Sequence, residues 1–159
     1  MLQEEKLRKS IQEVILLSMF KSFCEKNSSV PSQQRLRNIY QYSPNPIETT
    51  RNLINNELGE RISVDDATKL YPLLLAFLKK NPVRKPIADL VKYNLLKKQD
   101  NKCSICGNPI DVHAHADHIV PFKYVGDELE NNLQMLCSDC NLKKNASIDY
   151  QIRFLLKSI

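Results

Sequence analysis

The sequence predicts an α+β chain: a mostly helical N-terminal region followed by a small, cysteine-stapled unit. Three observations carry this. Residues 2–26 keep a helical apolar period with little interruption. Capping residues and prolines then mark off shorter helical stretches as far as Gln99. Beyond Asp100-Asn101 the period shifts towards two, and two Cys-x2-Cys pairs bracket the stretch that alternates.

The first helix has Leu7, Ile11, Val14, Ile15, Leu17, Met19, Phe20 and Phe23 on a broad apolar face, and Asn27 to Pro31 break it. Ser32 is placed to cap a helix through Tyr42 with Leu36, Ile39 and Tyr40 inward. Ser43-Pro44-Asn45-Pro46 is a turn, and residues 47–58 read as a helix ending at Gly59. Ser63-Val64-Asp65-Asp66 opens the next helix as a capping box with Asp in place of Glu. That helix runs towards Lys80, with a kink or restart expected at Pro72. Asn81-Pro82 is read as a further start, cap then proline, for a helix reaching Gln99. It would bury Ile87, Leu90, Val91, Leu95 and Leu96 and expose Arg84, Lys85, Lys92, Lys97 and Lys98. Ile110 to Val120 alternates like a strand, Gly126-Asp127 suits a turn, and residues 132–145 begin as a turn and end as a helix. Ile148 to Ile159 forms a last amphipathic segment. The expected boundary gives a helical domain over 1–90 and a second unit over 91–159.

Composition narrows the class. In 159 residues, 42% are apolar and 26% charged, enough for a soluble core. The net charge of +5 is spread over both halves and permits a nucleic-acid partner without demanding one. No signal peptide is visible, and the apolar run from Val14 to Phe20 is too short to span a membrane. The expected setting is cytoplasmic and reducing, with no membrane partner. Cys24 is then a small buried apolar residue on a helix.

In such a setting Cys103, Cys106, Cys137 and Cys140 have the spacing of a structural zinc site. Two tight knuckles converge four soft sulfurs on a d10 ion, with no open position for catalysis. Redox chemistry at a Cys-x2-Cys pair needs only one such pair and a thioredoxin-like sheet, which is not predicted.

The ordered series Cys103-x2-Cys106, Asp117-His118-Ile119-Val120-Pro121, Gly126, Asn132-Leu133-Gln134, Cys137-x2-Cys140-Asn141-x2-Lys144 resembles the HNH endonuclease family in its four-cysteine zinc form. The resemblance covers roughly residues 95–147. It implies a zinc-stapled ββα-metal (HNH) nuclease module that hydrolyses phosphodiester bonds, most often in DNA, with RNA left open. It implies His118 as general base and Asp117 and Asn141 as ligands of a catalytic Mg2+ or Mn2+. That cation would bridge a phosphate oxygen and the leaving 3′ oxygen. It implies that Asn132 bonds across the loop and sets the strands so that His118 faces phosphate. Lys143 and Lys144 would contact phosphate. The chemistry agrees: a neutral imidazole can accept a proton from water, and carboxylate and amide oxygens suit a hard cation. Asn141 stands where the family often has His, and Val125 where a second Gly is common. Asn131 competes with Asn132 for register, and Leu133 directly after favours Asn132.

His115, and less strongly His113, would share Asp117's strand face if that strand is regular. His115 is an expected nucleic-acid contact. Residues 1–90 resemble no known reader and are left with target reading, dimerisation or docking of a protein partner. Restriction and phage defence are among the uses of such modules. Two other readings stay open: a zinc-stapled nucleic-acid-binding module without catalysis, and a nuclease effector restrained by a helical sensing domain.

Overall fold

The computed structural model describes residues 1–157. Five helices come first: α1 (Leu2–Lys26), α2 (Val30–Gln41), α3 (Pro46–Leu58), α4 (Val64–Lys79) and α5 (Asp89–Lys98). Strand β1 (His115–His118), short helix α6 (Phe122–Val125), strand β2 (Leu133–Leu136), helix α7 (Ser138–Lys144) and helix α8 (Ile148–Lys157) follow. The two strands pair antiparallel with Asp117 opposite Gln134 and His118 opposite Leu133. Isoleucine 159 lies outside the described residues.

Local chemistry accounts for most boundaries. Asn45 accepts from the Glu48 N–H to cap α3, which closes on Gly59 in the left-handed region at φ 70°. Ser63 accepts from the Asp66 N–H to open α4. Helix α4 continues through Pro72 without a restart. The cap of α2 is Ser29 rather than the expected Ser32. Ser29 accepts from the Ser32 N–H, and Pro31 sits inside the first turn, where its missing N–H costs nothing.

The start of α5 corrects the sequence reading. Asn81 Oδ1 accepts from the Val83 N–H, two residues on, which makes a turn rather than a helix cap. Pro86 then disfavours helix at Lys85, so residues 80–88 form an extended strap and α5 begins at Asp89. Leu96 is the buried residue of α5, while Leu90 is 70% exposed. The strand reading also shrinks: Ala114 N–H bonds to the Asp111 carbonyl and His113 N–H to Asp111 Oδ1, so a turn occupies the first part of the alternating stretch. The turn expected after Asn132 is instead strand β2.

One apolar cluster joins the two ends of the chain. Phe20, Phe23, Leu36, Ile54, Leu70, Leu74 and Phe77 from α1–α4 bury together with Val120, Val125 and Ile148. Phe20 meets Phe77 and Tyr124 edge-on at 6.4 and 6.2 Å. Helix α8 lies along α1, and α6 against α4. Only the second half of α1 is buried: Leu7, Ile11 and Ile15 are exposed. Cys24 is buried in this cluster, and burial pushes its thiol pKa well up.

Gly126 fixes how closely the strap approaches the later segment. Its φ of 57° and ψ of −139° suit glycine alone. A Cβ there would stand 3.1 Å from Lys80 Cβ and 3.4 Å from the Asn81 carbonyl oxygen. Gly126→Ala is expected to cost roughly 2–3 kcal/mol from strain and crowding. Gly59→Ala, with no neighbour within 4 Å, is expected to cost less, about 1 kcal/mol. Urea unfolding of both variants, compared at equal m, checks the order.

Candidate active site and zinc cluster

The four cysteines converge. Their Sγ atoms all lie within 4.8 Å of one another, and Cys106 Sγ stands 3.8 Å from Cys137 Sγ. Sulfurs about 2.3 Å from a tetrahedral zinc would stand about 3.8 Å apart, so the set fits that ion. Each knuckle is built by backbone bonds. Cys103 N–H donates to the Asn108 carbonyl and Gly107 N–H to the Cys103 carbonyl, with Gly107 at φ 76°. Cys137 N–H points at Cys103 Sγ and Cys140 N–H at Cys137 Sγ, each at 3.4 Å. Burial opposes ionisation of Cys103, but backbone N–H groups of Cys106, Cys137 and Ile105 outweigh it and bring the thiol down to about 6. Burial and the neighbouring thiols push Cys140 up. Gln99 ties α5 to this unit, accepting from Met135 N–H at 2.9 Å and donating to the Met135 carbonyl at 3.0 Å.

Strand β1 and helix α7 form the walls of an open cleft of about 540 Å³. Asp117, His118, Asn141, Lys144, His115 and Arg84 line it. The structure therefore brings Asp117, His118 and Asn141 to one cavity. Asn132 lies behind it, 6% exposed. Its side chain accepts from Val120 N–H at 2.8 Å and donates to the Val120 carbonyl at 2.9 Å. Its own carbonyl accepts from Ile119 N–H at 2.8 Å. These bonds fix the chain as it leaves His118. Asn131, its competitor in register, is exposed at φ 55°.

Lys144 departs from the expected phosphate contact. It is 1% exposed and turned inward. Its Nζ sits 3.0 Å from Asp117 Oδ2 and donates to the His118 carbonyl at 2.8 Å. Gln134 Nε2 donates to the same Asp117 oxygen at 3.1 Å across the strand pair. One carboxylate oxygen thus takes both contacts, leaving Oδ1 without a hydrogen bond among the described residues. Asn141, whose amide also carries an oxygen, lines the same cleft. Lys143 is exposed and ion-paired with Asp139 at 2.9 Å, away from the cleft lining. His115 is exposed, 3.2 Å from Ser138 Oγ. The turn at Asp111–Ala114 takes His113 off the strand.

Two residues that sequence reasoning did not single out flank His118. Asp127 Oδ1 lies 2.8 Å from His118 Nε2. Burial raises the Asp127 carboxyl, but bonds from His118 and the Lys85 backbone outweigh it and hold the pKa below the ordinary value. Phe122 meets the His118 ring edge-on at 5.3 Å, and Arg84 lies over Phe122 with Cζ 4.8 Å from the ring centre. Gly126-Asp127 carried only a turn signal, and Arg84 was one of several cations on a helix that does not extend to it. Neither contact has a sequence pattern.

No helix among the described residues is long and apolar enough to cross a membrane. Residues 103–147 match the family described as HNH endonuclease. No curated protein and no solved structure matches the chain. The segment 103–147 is an HNH endonuclease domain, and it contains the four-cysteine cluster.

Lys144→Ala would leave the part-buried Asp117 carboxylate without its cation and open a void behind β1. A loss of about 3 kcal/mol is expected, read from denaturant midpoints; a loss under about 0.5 kcal/mol would contradict a supporting role for the pair. Purified protein is expected to hold one zinc per chain by elemental analysis, and Cys140→Ser to lose it. Since the ligands bind as thiolates, retention should fall as pH drops.

Proposed function

From an HNH endonuclease domain at residues 103–147, we propose a metal-dependent nuclease that hydrolyses phosphodiester bonds in DNA, with His118 as general base. The observation that carries the reading is the shared cleft: His118, Asp117 and Asn141 line one open cavity inside the family-matched segment. HNH domains act on nucleic acids, and the polar, accessible cleft suits a charged backbone.

His118 accepts the proton of a water aligned with phosphorus. Asp127 at Nε2 fixes the tautomer and the ring plane, so that the other ring nitrogen is the basic one. As the imidazole becomes cationic, the same carboxylate stabilises it. Phe122 packs against the ring and limits its rotation. Asn132 holds the following turn, and Lys144 holds the backbone of His118 and the side chain of Asp117 together. Asp117 and Asn141 would hold Mg2+ or Mn2+, which when bound neutralises charge on the phosphate and the leaving oxygen. Zinc at the four cysteines is structural, because four thiolates leave no open position. A role in restriction or phage defence, in the cytoplasm, is consistent with this chemistry. Residues 1–90, as a helical domain, remain the candidate for partner docking or dimerisation.

The test is nicking of supercoiled plasmid with Mg2+ or Mn2+ by the zinc-loaded chain. Wild type should cut, and His118→Ala should lose at least a hundredfold, on the order of one general-base contribution, with zinc content unchanged. Equal cutting by His118→Ala would exclude it as the base. Asp127→Asn should lower kcat on the order of a hundredfold with little change in KM, since it disturbs ring orientation rather than binding.

A further inference from the structure

Resting on the nuclease reading above, we propose that Arg84, Lys85 and Lys92, with His113 and His115, form a second phosphate subsite beside the cleavage cleft. Its ligand is a phosphodiester of the nucleic-acid strand adjoining the scissile one. Of these residues Arg84, Lys85 and Lys92 lie outside the segment that matches the family.

A second cleft of about 370 Å³ adjoins the first at His118. Arg84, Lys85, Lys92, His113, His115 and His118 line it, with Ile87, Ala114 and Ala116 between them and no carboxylate in the lining. It shares Arg84, His115, Ala116 and His118 with the cleavage cleft, so a strand leaving one enters the other. Two carboxylates touch lining residues, each already hydrogen-bonded, and Asp127 offsets part of the Lys85 charge. Asp111 Oδ1 accepts from His113 N–H, and Asp127 accepts from His118 and, at 3.4 Å, from Lys85 N–H. Arg84 and Lys92 form no ion pair among the described residues.

The cations are placed by the fold rather than left on a free helix face. Gly126 admits the strap at Lys80 and Asn81, and Lys80 Nζ donates to the Lys123 carbonyl at 3.1 Å. The Lys85 backbone reaches Asp127, the residue that also holds His118. Stacking on Phe122 orients the Arg84 guanidinium, whose planar fork of donors matches two phosphate oxygens at once. The stack Arg84–Phe122–His118 links this subsite to the base.

Binding of the full-length protein to a short labelled DNA duplex, without added Mg2+ or Mn2+, tests the subsite. The variant Arg84→Ala/Lys85→Ala/Lys92→Ala should bind at least tenfold more weakly, and its slope of log K against log salt should shrink by roughly 2 to 3. Lys97→Ala, on the same helix but outside the cleft, should bind as wild type. Thermal midpoint and zinc content equal to wild type confirm a folded variant. Unchanged affinity and slope in the triple variant would overturn the subsite, as would an equal loss in Lys97→Ala. The plasmid assay reads the parent proposal separately. Lost binding in the triple variant alongside a wild type that never nicks keeps the subsite and rejects the nuclease. Nicking by wild type with unchanged binding by the variant rejects the subsite alone.

Discussion

A buried ammonium sits at the centre of the HNH domain, and its compensation sets the geometry around it. Lys144 is 1% exposed, and an ammonium so placed costs several kcal/mol unless it is paired and hydrogen-bonded. Its partners are the Asp117 carboxylate and the His118 carbonyl, two adjacent residues of β1. Satisfying the charge therefore locks the end of α7 to β1. Helix α7 is only seven residues long, and it also carries Cys140 and Asn141. A thiol of the four-cysteine cluster, the amide that lines the cleft and the lysine that holds the His118 backbone thus share one short helix.

The helical region supports this unit from behind. Val120 and Val125 flank the turn and short helix after His118, and both bury into the cluster built by α1–α4. Ile148 brings α8 into the same cluster, and Lys21 pairs with Asp149 at 2.9 Å across the α1–α8 contact. A two-stranded sheet with one short helix has little apolar mass of its own. The smaller cluster around Cys103, Leu136 and Cys140 reflects this, since two of its three buried residues are thiols that a metal would hold. Ordinary burial against the helices supports the site on one side, and zinc held by the four thiols would support it on the other.

How much of this was legible depended on the range of the interaction. Caps and spacings act over three or four residues, so Ser63 and Gly59 announced their helix ends and the cysteine pairs announced the knuckles, whereas Asn45, read as part of a turn, proves to be the cap of α3. The misread start of α5 turned on the same local scale: Asn81 can cap a helix or an Asx turn, and Pro86 five residues on decided between them. Strand β2 was obscured because a four-residue strand is too short to establish a period. At the site, Asp117, His118, Asn132 and Asn141 stood out by order and spacing. The inward turn of Lys144 did not, because a lysine in a sequence carries no sign of the carboxylate it will meet. Asp127 and Arg84 were invisible for the same reason. Each gains its role from a tertiary approach that a single glycine permits.

That approach explains why the strap matters beyond linking two halves. Residues 80–88 are exposed along most of their length and contribute little to the core. Their contacts instead fall on Lys123, Gly126, Asp127 and Phe122, the segment directly behind the His118 ring. A strap with so little burial is held by hydrogen bonds and one close backbone fit. The Lys85 N–H and the His118 ring meet the same Asp127 carboxylate, so the strap and the imidazole share one anchor. If phosphate binds beside Arg84 as proposed, strand binding and the orientation of His118 draw on the same few contacts.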